Sequence, residues 1–234
     1  MKKYLSFMCL LLITISVFLL KREDAYVNSS QEKAANSSIT KYKVVIDAGH
    51  GGFDPGKVGI NNDLEKDVNL SIALKLKGLL EQNDCEVVMT RESDTALYSE
   101  SDSNKKTSDM RNRMKIVLDA DPDITISIHQ NSYPEEKIKG AQVFYHVSST
   151  EGKELAEIIQ EQLKTTIGDG NHRVAKSNDS YYMLKKSKCP LVIVECGFLS
   201  NYKESALLIT SEYQDKVAWA IHLGVMNYLN NYSK

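Results

Sequence analysis

The feature that most constrains the fold is an alternation of short segments rich in Val and Ile with longer helical patterns. The short segments are bounded by Gly, Pro or Asp, which is typical of strands. Three of them are nearly continuous apolar runs, as in strands covered on both faces. This order predicts an α/β fold, a three-layer domain with a mostly parallel central sheet flanked by helices. The predicted strands are 43–48, 85–91, 123–129, 141–146 and 191–196, and the predicted helices are 67–82, 150–167 and 211–229.

Polar residues stand at the ends of three predicted strands. His50 follows the first strand, His129 ends the third, and Glu195 lies in the last. In parallel sheets the reacting groups gather beyond the carboxyl ends of the strands. A second glutamate, Glu65, precedes the first predicted helix. Two His and one Glu are the ligands of a catalytic zinc with an open position, and a further Glu suits a general base. A hydrolase is therefore the leading hypothesis.

Each of these residues, taken alone, has an ordinary structural explanation. A glutamate before a helix usually interacts with the helix dipole, as Glu65 would. A lone His after a strand, such as His129, is usually structural, and Glu195 could form a buried salt bridge. The Gly-rich loop around His50 lacks the Lys-Ser or Lys-Thr of a nucleotide-binding loop. Asp47 could either orient an imidazole or cap this loop.

Four segments, in order, resemble the zinc-dependent N-acetylmuramoyl-L-alanine amidases of the amidase 3 type. They are 47–56 (DAGHGGFDPG), 65–70 (EKDVNL), 127–131 (SIHQN) and 195–201 (ECGFLSN). The resemblance covers about residues 43–230. Because no wall-binding repeat is added, the chain looks most like the short, single-domain sporulation and germination members of that family.

The resemblance implies a role for each site residue. Zn²⁺ would be held by His50, Glu65 and His129, and Glu195 would be the general base. Hydrolysis would break the amide that joins the lactyl group of N-acetylmuramic acid to L-alanine in peptidoglycan. A sporulation member would act in spore cortex maturation.

Two further residues carry expectations about substrate. Asn131 matches the family's His-x-Asn pattern and could present its amide to the substrate. Arg113 lies 16 residues before His129, where the family usually has an arginine. Val117 and Leu118 then replace the usual Ala-Asn, which leaves a structural ion pair and a substrate contact both open for Arg113.

Two other functions compete with the amidase hypothesis. One is a metallo-carboxypeptidase or endopeptidase acting within the stem peptide. A carboxypeptidase of the common kind would show His-x-x-Glu, which the His50 segment does not match. An inactive wall-binding module would not need all four polar positions intact. A cysteine hydrolase at Cys196 is disfavoured because no His follows in a nucleophile pattern.

Composition excludes several classes of partner and scaffold. The chain has 234 residues and a net charge of −2, without a basic stripe, so no nucleic-acid partner is expected. None of its four cysteines forms a Cys-x-x-Cys pair. A domain of this size does not need disulfides, and we expect Cys85, Cys189 and Cys196 to be buried thiols.

The amino-terminal segment predicts export. Residues 1–22 combine lysines with an apolar run at 4–20 and read as a signal peptide or membrane anchor. The polar stretch 23–42 is expected to be a flexible tether before the catalytic domain at 43–234. The domain would be extracytoplasmic, secreted or membrane-anchored, touching the membrane only through this segment. By resemblance it would occupy the forespore intermembrane space. With no long insertion between His129 and Glu195, we expect an open cleft or control by a separate activating protein.

Overall fold

A six-stranded sheet forms the centre of the part of the chain that the computed structural model describes, residues 42–231. The strands lie in the order β2-β1-β3-β6-β4-β5. They are β1 (Tyr42–Ala48), β2 (Cys85–Met89), β3 (Ile124–Asn131), β4 (Gln142–His146), β5 (Lys176–Asn178) and β6 (Leu191–Phe198). The predicted signal peptide or anchor, residues 1–22, and almost all of the predicted tether, 23–42, lie outside the described residues.

Parallel pairing dominates the sheet. β1 pairs in parallel with β2 and β3, and β3 pairs in parallel with β6. Among the described strands, the only antiparallel pair is β4 with β6, while β5 pairs in parallel with β4. The prediction of a mostly parallel sheet is confirmed. The carboxyl ends of β1, β3 and β6 therefore lie side by side.

Within the described residues, six helices cover both faces of the sheet, which confirms the three layers. Helices α1, α3 and α6 pack on one face, and α2 and α4 pack on the other, while α5 contacts β6 and α6. They are α1 (Glu65–Glu81), α2 (Lys105–Ala120), α3 (Thr150–Ile167), α4 (Tyr182–Lys186), α5 (Tyr202–Leu208) and α6 (Ser211–Asn231).

The alternation of side chains along the strands divides the core in two. Val44 and Ile46 of β1 belong to the larger cluster beneath α1, α3 and α6, whereas Val45 belongs to the smaller cluster with Met114 of α2 and Met183 of α4. Successive strand residues point to opposite faces, so one apolar run supplies both layers.

Three helices and one strand were not predicted. Helix α2 begins within the polar stretch 93–107, which the sequence suggests is a loop, and it buries only Arg113, Met114 and Val117. Its apolar periodicity is correspondingly weak. The other missed elements, β5, α4 and α5, have three to seven residues, too few to show a period. Within residues 42–231, no helix combines the length and apolarity that crossing a bilayer requires.

Candidate metal centre and active site

Three side chains from separate elements meet at the carboxyl edge of the sheet. They are His50 after β1, Glu65 at the start of α1, and His129 in β3. Their potential ligand atoms all lie within 4.8 Å of one another. His50 Nε2 is 3.3 Å from Glu65 Oε2, and His129 Nδ1 is 3.0 Å from Glu65 Oε1. The structure thus brings together the three residues that the sequence proposes as metal ligands.

The loop after β1 adopts an unusual backbone conformation that places His50. His50 has φ = 61°, a left-handed value that is uncommon for a residue with a side chain. Such strain is found preferentially at functional sites. Two glycines allow the close approach of the cluster. A Cβ at Gly49 would collide with the His129 ring, and a Cβ at Gly56 would lie 2.6 Å from Glu65 Oε2.

Glu65 is buried and held by the backbone. Its Oε2 accepts a hydrogen bond from the Lys57 backbone N–H (2.8 Å), and its Oε1 accepts one from the Gln130 backbone N–H (3.0 Å). Burial opposes its charge, but hydrogen bonds from His129 and His50 outweigh this and lower the Glu65 pKa well below its usual range. The carboxylate is thus held ionised, as metal binding requires.

Asp54, which the sequence argument overlooked, orients His50. Its Oδ2 lies 2.8 Å from His50 Nδ1, and its Oδ1 accepts a hydrogen bond from the Gly56 N–H. With Nδ1 engaged, Nε2 of His50 faces the cluster. A carboxylate on the second ring nitrogen is the usual partner of a metal-ligating histidine. The sequence signal for this partner was the aspartate that ends the motif HGGFD, four residues after His50.

The hypothesis that Asp47 orients an imidazole is wrong, and it does not cap the loop either. Its carboxylate accepts hydrogen bonds from Ser127 Oγ, Thr90 Oγ1 and Arg113 Nη1. Burial raises its pKa, but the charge of Arg113 and the bond from Ser127 outweigh this and lower it to about 2. Asp47 is a buried counterion rather than a partner of the histidines.

The guanidinium of Arg113 is engaged in the same hydrogen-bond network as Asp47. Arg113 is 1% exposed, and its guanidinium donates to Asp47, Asp109 and the carbonyl oxygens of Ala48 and His50. Of the two roles left open by the sequence, the geometry favours the structural ion pair. Arg113 clamps the strand β1 to helix α2 and fixes the loop that carries His50.

Glu195 stands beside His129 because the two residues are direct partners in the β3–β6 register. Every residue of β6 is buried, and Glu195 Oε2 accepts no hydrogen bond from the described residues. Burial raises the Glu195 pKa to about 7, against the opposing charge of His129. A buried carboxylate with an unpartnered oxygen is costly unless a water or ion completes it. This orphaned oxygen, with the His–Glu–His donors next to it, fits a zinc ion and its water.

A cavity of about 140 Å³ opens onto this cluster. His50, His129 and Glu195 line it together with residues that the sequence argument did not single out, which are Lys106 and Met110 of α2, Tyr181, Tyr182 and Met183 at α4, and Ile193. Most of these residues lie on α2, whose apolar periodicity is weak, or at α4, which has five residues, so no sequence signal identified them.

Asn131 and Cys196 follow site residues closely in the sequence, but neither is among the described residues that line the cavity. The Oδ1 of Asn131 accepts a hydrogen bond from the Ser132 N–H (2.8 Å). Cys196 is fully buried, and burial raises its thiol pKa. A thiol that stays protonated is a poor nucleophile, in agreement with the sequence argument. Cys85 is also buried as expected, whereas Cys189 is partly exposed.

The fold and the site define a class, an α/β protein with a His–Glu–His cluster next to a buried carboxylate at the carboxyl edge of its parallel strands, a donor set that could hold a catalytic metal. The family model for N-acetylmuramoyl-L-alanine amidase matches residues 44–227. The chain therefore belongs to the N-acetylmuramoyl-L-alanine amidase family.

Two relatives and two solved structures show where in this family the similarity lies. The germination-specific N-acetylmuramoyl-L-alanine amidase of Bacillus subtilis is 37% identical, over 97% of this chain and 94% of that protein. The amidase LytC of the same organism is 30% identical, over 92% of this chain but 41% of its own length. The CwlD amidase of Clostridioides difficile, solved in complex with the GerS lipoprotein, is 41% identical with a TM-score of 0.79, covering 81% of this chain and 98% of that one. The catalytic domain of CwlV from Bacillus (Paenibacillus) polymyxa is 31% identical with a TM-score of 0.70, covering 82% and 99%.

Proposed function

We propose that this protein is a zinc-dependent amidase that hydrolyses the bond between the lactyl group of N-acetylmuramic acid and L-alanine in peptidoglycan. The observation that carries the proposal is the His50–Glu65–His129 cluster with the unpartnered Glu195 oxygen beside it at the floor of one cavity. The identity of the hydrolysed bond is inferred from the family, because the set of metal-ligating residues by itself implies only that the reaction is a hydrolysis.

Each residue has a part in this chemistry. A zinc ion held by His50, Glu65 and His129 would lower the pKa of a bound water towards about 7 and polarise the scissile carbonyl. Glu195 accepts the proton of the attacking water and later donates it to the leaving nitrogen. Its raised pKa of about 7 suits both transfers near neutral pH. Asp54 keeps His50 in the ring orientation that presents Nε2.

The test is digestion of purified peptidoglycan with metal-loaded protein, followed by identification of the new termini. An amidase releases stem peptides with free L-alanine amino groups. Zinc together with other new termini would indicate the stem-peptide metallopeptidase, and binding without cleavage would indicate an inactive wall-binding module.

The metal site has its own test in the histidine ligands. Replacement of His50 or His129 by Ala leaves two of the three donors, and two-ligand sites hold Zn²⁺ poorly. We expect zinc and activity to be lost together, measured by metal analysis and wall digestion of folded protein. His146→Ala, at an exposed histidine bonded to Ser148, is the matched control and should retain zinc. Stoichiometric zinc in the His50→Ala protein would contradict the assignment.

The cellular setting is part of the proposal. The relative named for germination and the CwlD structure support a role in spore cortex maturation, outside the cytoplasm. Residues 1–22 would export the domain as a signal peptide or anchor, and 23–42 would tether it. The assembly of CwlD with a lipoprotein supports a separate partner protein here as well. Asn131 remains a proposed substrate contact.

A further inference from the structure

Two neighbouring lysines in the first turn of α2 have different surroundings. Lys105 Nζ lies 2.6 Å from Glu100 Oε2 and 5.2 Å from the centre of the Tyr98 ring, so its charge is already paired. Lys106 lines the active-site cavity and makes no ion pair with any residue in the described range 42–231. One lysine therefore turns away from the site while the next presents an unpaired cation to it.

The rest of the cavity lining leaves Lys106 as the group that can attract an anion. Arg113, the other strong cation on the lining, is neutralised by Asp47 and Asp109. The further charged side chains there, Asp54 and Glu195, carry carboxylates, and the remaining lining is largely aromatic or apolar. Away from the metal cluster, Lys106 is therefore the side chain on this lining that attracts a negatively charged substrate group, while Asp54 and Glu195 repel it.

Lys106 acts on the same part of the cavity as His50. Lys106, Asp54 and His50 all line this one cavity, and Asp54 Oδ2 lies 2.8 Å from His50 Nδ1. Lys106 is thus within electrostatic reach of the carboxylate that orients His50. An anion bound to Lys106 would lie close to the reacting amide.

The proposed substrate carries such an anion. This step rests on the proposed function, since it concerns the stem peptide that begins with L-alanine. The next residue of that peptide is an acidic isoglutamyl residue whose α-carboxyl group is either free or amidated. Because an extended residue spans at most about 3.6 Å, this carboxyl group lies within roughly 7 Å of the scissile nitrogen. A lysine at the edge of the cavity is suited to meet it.

We propose that Lys106 binds the free carboxylate of the residue that follows L-alanine, so that the enzyme prefers stem peptides whose carboxyl groups are not amidated. The stem peptide then leaves the metal cluster towards the first turn of α2. A partly exposed charge pair of this kind is worth a factor of roughly 3 to 10 in binding. The preference decreases as salt concentration rises, because the pair is open to solvent.

The experiment compares one purified wall preparation before and after its carboxyl groups are converted to primary amides. The full-length chain, in detergent and loaded with zinc, is assayed for release of L-alanine amino groups as kcat/KM. Wild type should cleave the untreated wall roughly 3 to 10 times better than the amidated wall. Lys106→Gln should reduce this ratio to about one by losing activity on the untreated wall alone. Lys105→Gln should keep the wild-type ratio.

Each outcome decides the matter. An unchanged preference in Lys106→Gln overturns the proposal. An equal loss on both walls, with zinc content reduced, also overturns it, because Lys106 would then act through Asp54 on His50. No cleavage of either wall by zinc-loaded wild type would instead refute the proposed function itself. Circular dichroism and zinc analysis of both variants show whether they fold and hold metal as wild type does.

Discussion

Glu195 is the single residue whose surroundings most clearly depart from what stability alone requires. It lies in a strand that is buried throughout, and one of its oxygens has no hydrogen-bond partner among the described residues. A carboxylate in such a position destabilises the fold unless it serves a bound group. A role in function therefore explains a glutamate at this position better than the packing of the core does.

Replacing Glu195 by Gln keeps the shape and removes the proton acceptor. We expect the variant to retain zinc and to lose activity by roughly 10² to 10⁴ fold, the usual contribution of acid–base catalysis. Glu204→Gln is the control, since Glu204 is also buried but accepts bonds from the Gly140 and Phe198 N–H groups outside the cavity. It should lower thermal stability and leave turnover of the folded enzyme unchanged. Near-normal turnover in Glu195→Gln would assign the base to another group.

The buried Asp47–Arg113 pair predicts an acid-sensitive contribution to stability. The Asp47 pKa is lowered from an ordinary value near 4 to about 2, which corresponds to roughly 2 kcal/mol. Because the folded-state pKa is depressed, this stabilisation is complete above about pH 4 and is lost as the pH falls through 2. The Asp47→Asn protein should be less stable at pH 7 by about 2 kcal/mol, since Arg113 loses one of its two carboxylate partners and keeps Asp109.

Urea denaturation at a series of pH values measures this directly. The free energy of unfolding should fall between about pH 4 and pH 2 more steeply in wild type than in Asp47→Asn. Parallel curves for the two proteins would show that Asp47 titrates normally in the folded state.

Among the helices and strands, α2 shows the largest difference between its contribution to the site and its apolar periodicity, which is weak. It carries Lys106 and Arg113, yet few of its residues are buried. Its start is fixed locally, because the Asn104 side chain accepts a hydrogen bond from the Thr107 N–H (3.0 Å). Such a cap satisfies a backbone donor that the helix cannot satisfy itself.

Removing this cap should cost about 1 kcal/mol. Asn104→Ala is expected to lower the midpoint of thermal unfolding by several degrees without loss of zinc. Ser103→Ala, one residue earlier, is the control, because Ser103 makes no hydrogen bond with any residue from 42 to 231. Equal effects of the two substitutions would show that the helix start is held by something other than the cap.

At the scale of the whole molecule, a catalytic domain follows an amino-terminal segment that predicts export across a membrane. The proposed substrate, peptidoglycan, lies on the side of that membrane to which the domain would be exported. Deleting residues 1–22 should give a soluble, zinc-loaded protein that cleaves isolated wall but leaves the wall in cells unmodified. The measurement is muropeptide composition of cells that carry the deletion in place of the wild-type gene. A foreign signal sequence fused to the deletion should restore modification. Normal wall modification by the cytoplasm-trapped protein would disprove the export requirement.

The sequence by itself determined the layers, the parallel strands and the meeting of His50, Glu65 and His129. Long apolar runs and helical periods state which faces are buried, and parallel strands bring their carboxyl ends to one edge. The four motifs then supplied the chemistry that spacing alone left open. These signals are local in the chain, so they could be recognised without coordinates.

Only the tertiary structure decided the partners of the charged residues. Asp54 rather than Asp47 orients His50, and Arg113 is held by Asp47 and Asp109 instead of facing the cavity freely. Lys106 rather than Lys105 lines the cavity. The pairing of each carboxylate with a cation depends on the directions of side chains in elements that are far apart in sequence. Two neighbouring residues of one type, such as Lys105 and Lys106, cannot be told apart from the sequence, because only the packing of the chain gives them different surroundings. The polar helix α2 and the short helix α4 have their place fixed by that packing, because their own apolar patterns are too weak to fix it.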